Sequence, residues 1–128
     1  MNHWLVKSEP DEFSIDQLAK VKREPWFGVR NYQARNFMRD GMQLGDEVFF
    51  YHSNCATPGI VGLCTVAKLV YPDPTQFDSK SDYYDPASPR DNPRWLCADV
   101  AFKRKLGRTI TLDELKAMDG LGDFALTR

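Results

Sequence analysis

The stretch GIVGLCTVAKLV, residues 59–70, decides the class of fold. Ile60, Val61, Leu63, Val66, Leu69 and Val70 crowd one short segment with aliphatic side chains, which reads as a buried strand. Downstream, Trp95 to Lys103 places Leu96, Ala98, Val100 and Phe102 on one face of a second strand. Upstream, His3 to Lys7 reads as a short strand stopped at Ser8-Glu9-Pro10-Asp11, and Glu47 to His52 as a strand entered from the turn Leu44-Gly45-Asp46. Helices with explicit start signals lie between and after these strands. Ser14 with Gln17 forms a capping box, stapled by Phe13 against Leu18, with Lys20, Lys22 and Arg23 in the last turn and beyond. Pro25 breaks the chain, Asn31 caps a second helix running to about Arg39, and Gly41 is its expected stop. Thr111 and Glu114 form another capping box, stapled by Ile110 and Leu115, opening a helix to about Met118. Strands and helices do not alternate regularly. This order predicts an α+β domain or a barrel-like sheet with flanking helices, not a doubly wound sheet.

The 128 residues amount to one domain, and 42% hydrophobic composition suffices for one core. A formal net charge of −1 tells against a protein that coats nucleic acid through many phosphate contacts, so any such binding must use a local patch and specific pockets. No run approaches the roughly 20 apolar residues of a membrane span, and no membrane partner is expected. Met1 to Lys7 lacks the basic-then-apolar order of a secretory signal, which predicts a cytoplasmic protein. Cys55, Cys64 and Cys97 form no Cys-x-x-Cys pair, so they read as reduced thiols rather than as a zinc site or a disulfide framework.

Few residues suggest catalysis. His52 adjoins Ser53, but neighbouring strand residues point to opposite faces, which disfavours a Ser-His nucleophile and favours a structural or pocket-lining role. The carboxylates Asp73, Asp78, Asp82, Asp85 and Asp91 show no acid/base spacing and read as a solvated loop. That loop, Tyr71 to Arg94, carries five of the eight prolines together with Phe77, Tyr83 and Tyr84. Its length and aromatic content mark it as an ordered, candidate site wall.

A pattern does appear between Lys20 and Arg39, where six cations face the single acid Glu24. Tyr32, Arg35, Asn36 and Arg39 recur at helical spacing and share one face, with Trp26 and Phe27 immediately upstream. An aromatic ring beside a basic helix suits a base stacked on the ring while arginines hold phosphates. A solvated helix face with Trp26 in the core fits the same residues, and the spacing leaves both readings open.

The blocks HWLVKSEP (3–10), WFGVRNYQARN (26–36), GDEVFFYHS (45–53), PGIVG (58–62) and YPD (71–73) resemble the EVE domain family, in that family's order. The resemblance implies a PUA-like mixed β-barrel with flanking helices, similar to the YTH domain. It implies a non-catalytic module, without metal or cofactor, that reads a modified, methylated base in an aromatic cage. Trp26 would be the first cage wall, facing an open slot. Lys7, Ser8 and Ser53 would line the pocket mouth, and Arg30, Asn31, Tyr32, Gln33, Arg35 and Asn36 would follow the cage tryptophan, with Tyr84 or Trp95 as second ring; Trp95 reads equally well as a strand-end core residue. Its partner would be single-stranded or base-flipped DNA or RNA carrying the modified base; a small metabolite or free nucleobase is the alternative ligand. Family members continue into a basic strand after the last helix, and this chain, a single domain over residues 1–128, is expected to lack it. A sheet edge left bare by that loss would invite a homodimer.

The energetics of such a site are modest. Stacking a base contributes roughly 1–3 kcal/mol, and one buried methyl only about 0.8 kcal/mol. Micromolar affinity is therefore expected.

Overall fold

A computed structural model describes residues 3–111, 114 and 125–127. The chain runs β1 (His3–Ser8), α1 (Ile15–Val21), β2 (Arg23–Pro25), α2 (Tyr32–Gly41), β3 (Glu47–His52), β4 (Gly59–Pro72), a 3-10 turn (Pro74–Phe77), β5 (Leu96–Thr111) and β6 (Ala125–Thr127). The strands form one sheet in the order β2-β5-β4-β3-β1-β6. Pairs β3–β4, β4–β5 and β2–β5 are antiparallel, whereas β1 lies parallel to both β3 and β6.

The sheet is mixed and carries helices, as the sequence implied, but the expected barrel closure is not found among the described residues. Its two outer strands, β2 and β6, are three residues each and pair with different neighbours. Curvature comes instead from β-bulges: β4 and β5 change register four times along their ladder, and each extra residue bends the strand that holds it. The β1 edge is not bare, because β6 covers it from Leu5 to Lys7.

Both helix starts follow from local chemistry. Ser14 Oγ accepts the Gln17 amide while the Gln17 side chain accepts the Ser14 amide, completing the capping box. Asn31 Oδ1 accepts the Ala34 amide. The later pair is also engaged, with Glu114 donating its amide to Thr111 Oγ1 and accepting the Thr111 amide; the helix expected to follow lies outside the described residues. One element went unread: β2, at the sheet edge, ends in Pro25, where a missing donor costs no ladder bond.

The main core lies between the sheet and the helices. Trp4, Val6, Ile15, Leu18, Trp26, Val29, Met38, Val48, Phe50, Val66 and Val100 are buried there. Gly62 admits α1 to the sheet, since a Cβ at that position would meet the Ile15 side chain at 2.4 Å. A smaller cluster of Leu5, Tyr51 and Ile60, with Phe49, Leu106 and Ile110 against it, forms separately. Among the described residues no helix is long and apolar enough to cross a membrane.

Candidate nucleic-acid interface

The polypeptide leaving β2 enters the core before it reaches the surface. Trp26, expected to face an open slot, is instead wholly buried. Its indole packs edge-to-face on Phe50, with ring centroids 5.6 Å apart, and near Phe13 at 6.3 Å. The Trp26 amide donates to Ala98, so β5 pulls this residue inward as an extension of the β2 ladder. The ring is therefore part of the packed interior in this structure, and the open cage wall expected from the sequence is not found there.

Two residues later Gly28 adopts φ +88° and donates its amide to Asp73. A Cβ here would lie 2.5 Å from the Tyr83 ring, so only glycine allows both the left-handed backbone and the aromatic packing. Arg30 then reaches into the long connection. Its guanidinium donates to Asp73 at 3.1 Å, to Thr75 Oγ1, to the Val29 carbonyl and twice to the Tyr83 carbonyl. It also lies over the Trp95 and Tyr83 rings at 5.4 and 5.6 Å. With its donors so engaged, Arg30 serves as an internal clamp at a position expected to contact ligand.

Asp73 and Asp85 belong to this assembly, contrary to their reading as solvated loop acids. The Asp73 carboxylate is fully buried and accepts from Gly28, Arg30 and both the amide and hydroxyl of Thr75. Asp85 accepts the Trp95 indole N–H at 2.7 Å, and that bond holds its carboxyl below the usual carboxylate range. Gln76, buried beneath them, donates to the Asp73 and Trp95 carbonyls and accepts from Ser88 Oγ and the Trp95 amide. The connection is thus an ordered wall, as its aromatic content suggested.

On this wall rests the exposed part of the cluster. Tyr32 opens α2 with half of its surface in solvent, and its ring stacks on Trp95 at 4.8 Å and 28°. Arg35, one turn on, sits over the Tyr32 ring at 4.8 Å and donates to the Arg94 carbonyl and to Asn36 Oδ1. Gln33 and Arg39 stand exposed on the same helix, and Tyr84 is exposed in the loop. Asn31 is occupied as the helix cap. The structure therefore joins Arg30, Tyr32, Arg35, Asn36 and Trp95 in one place. Tyr83, Asp73, Asp85 and Gln76 complete it and were missed; the Tyr-Pro-Asp block at 71–73 was the one sequence signal for Asp73.

Lys7, Ser8 and Ser53 form a second group at the ends of β1 and β3. The Ser53 amide donates to the Ser8 carbonyl, and Lys7 lies 5.6 Å from the Tyr51 ring. Ser8 is buried with its hydroxyl donated to the Phe13 carbonyl. Beside them His52 Nε2 accepts the amide of Ile15, the first residue of α1. That bond requires a neutral ring, and burial lowers its pKa from the ordinary 6.5. Burial pushes the thiols of Cys64 and Cys97 up to about 12, far from a reactive thiolate at neutral pH. Among the described residues no three His, Cys, Asp or Glu side chains are grouped to hold a metal ion.

This mixed sheet, with its long loop and second helix, has counterparts in one known class. Residues 2–128 match the model of the EVE domain, and the chain belongs to that family. Human thymocyte nuclear protein 1 is 50% identical to it, over 91% of this chain and 56% of that protein. The chain thus spans about half the length of the curated relatives it matches. A structure of human THYN1 in complex with 5-methylcytosine containing DNA superposes with a TM-score of 0.86 at 50% identity, covering 91% of this chain and 74% of that one. A Pseudomonas putida protein of known structure is 48% identical with a TM-score of 0.87, over 95% of this chain and 81% of that one.

Proposed function

We propose that this domain is a non-catalytic reader of a modified base, with 5-methylcytosine in DNA as its first ligand. The observation that carries the reading is the human relative's complex with DNA of that kind, at 50% identity over 91% of this chain. The surface fits the role. Tyr32 offers a half-exposed ring backed by Trp95, and Arg35 supplies positive charge on the same helix, whereas Arg39 is paired with Asp40. A binding role is also favoured by the neutral, hydrogen-bonded state of His52 and by the buried thiols of Cys64 and Cys97, none of which is set up as a nucleophile.

In this reading a base leaves its stack to lie on Tyr32 in place of the Arg35 guanidinium that covers the ring, with exposed Gln33 and Tyr84 as further ligand contacts. Lys7 and Ser53 offer polar groups at the ends of β1 and β3. The first test is titration of a 5-methylcytosine oligonucleotide and its unmethylated twin against the wild-type domain and Tyr32→Ala. The wild type should prefer the methylated strand about fourfold, the effect of one buried methyl at about 0.8 kcal/mol. Tyr32→Ala should lose roughly 1–3 kcal/mol of affinity. Equal affinity in all four pairings would reject the reading.

A further inference from the structure

A second positive surface lies along the sheet edge, away from the Tyr32–Trp95 stack. Residues 101–108 hold four cations and no acid, and residues 20–23 hold three cations and no acid, in a chain whose net charge is −1. Two contacts bring these segments side by side. The Phe102 amide donates to the Lys22 carbonyl at 2.8 Å, and Lys105 Nζ meets Asp16 at 3.0 Å. Asp16 and Lys20 are four residues apart on α1, so they share one helix face. Lys103 lies in β5 between Phe102 and Lys105, where the register shifts against β4. Beyond Ala101, where β2 ends its pairing, this side of β5 meets no further strand among the described residues. Lys20, Lys22, Lys103, Arg104 and Lys105 are all exposed there, and among the described residues only Lys105 of the five makes an ion pair.

We infer that this ridge is a track for a phosphodiester backbone, extending the proposed reader so that one nucleic acid is held at two places. The inference rests on the nucleic-acid reading for its ligand class. The geometry suggests the span. From Leu96, which follows Trp95, to Lys103–Lys105 is seven to nine residues along β5, about 23–30 Å at about 3.3 Å per residue. That is on the order of eight base pairs at about 3.4 Å each. Contacts of this kind read no sequence and no methyl group; they add affinity that salt removes. Lysines on an open edge also discourage edge-to-edge strand pairing, but in that role they would leave nucleic-acid binding unchanged.

The test compares the wild type with the triple variant Lys20→Gln, Lys103→Gln, Arg104→Gln, each at an exposed side chain without an ion pair. Affinity for methylated and unmethylated duplexes of about 16 base pairs, and for a four-nucleotide methylated strand, is measured across a salt series. The expected result is a slope of log affinity against log salt that is smaller by about 2–3 for both duplexes. The methylated-to-unmethylated ratio should stay constant, and the four-nucleotide strand should bind the variant as it binds the wild type. An unchanged slope with methyl preference intact overturns the ridge while leaving the reader standing. A reduced slope with no methyl preference in either protein supports the ridge while the reader fails. Absence of duplex binding by the wild type overturns the ridge, and so does polyglutamate that binds as tightly as the duplex at equal charge and loses affinity in the variant.

Discussion

Gln76 shows how much a single buried amide can organise. Its side chain closes the two ends of the long connection by bonding Asp73, Ser88 and both backbone groups of Trp95. Gln76→Ala orphans several buried groups at about 1–3 kcal/mol each, so a loss on the order of 3 kcal/mol or more is expected by denaturant titration. Trp26→Ala should cost about 3–5 kcal/mol through the cavity it leaves between Phe13 and Phe50, with a matched fall in melting temperature. His52 gives a pH signature. Its folded pKa is depressed, so the unfolded chain takes up the proton first. Its contribution is complete above about pH 6.5 and is lost as pH falls through the lower folded value; His52→Gln should flatten that part of the melting curve against pH. Trp26 and Gln76 also mark where residue-level reading stopped. A tryptophan beside phenylalanine and cations suits core and surface equally, and a lone glutamine in a polar loop has no pattern by which its burial could be foreseen.

At the level of elements, the local chemistry carried the reading well. The Ser14 and Asn31 caps, and β3 from Glu47 to His52, stand where composition put them, because capping and period-two alternation are local. The extent of β5 did not follow. Lys103, Arg104, Lys105 and Gly107 interrupt the alternation, yet the strand continues to Thr111 because bulges absorb the irregular residues against β4. The connection between β4 and β5 was legible as ordered but not in its cause, since Asp73 finds Gly28 and Arg30 only after the chain has folded. Asp73→Ala removes the acceptor for both and leaves the Arg30 cation without its ion-pair partner. Hydrogen exchange from Thr75 to Trp95 should quicken in this variant, and nucleic-acid affinity should weaken with it, since Tyr32 stacks on a Trp95 that is no longer fixed.

At the scale of the whole molecule, the sheet is tied together by distant segments. β1 pairs in parallel with β3, more than forty residues on, and with β6 near the other end of the sequence. Such non-local pairing slows folding, and stopped-flow refolding is expected in the millisecond-to-second range. This topology was beyond the sequence pattern, which identifies strands but not their neighbours; resemblance supplied the family, and the barrel it implied proved an open sheet among the described residues. The three tryptophans are distributed in a way that has an optical consequence. Trp4 and Trp26 pack in the main core, whereas Trp95, also buried, touches the phenol of Tyr32, the Arg30 guanidinium and the Asp85 carboxylate. Occupancy at Tyr32 should therefore register as a change in the emission of one indole against a constant background from the other two, giving the domain a fluorescent gauge of its own loading without any added dye.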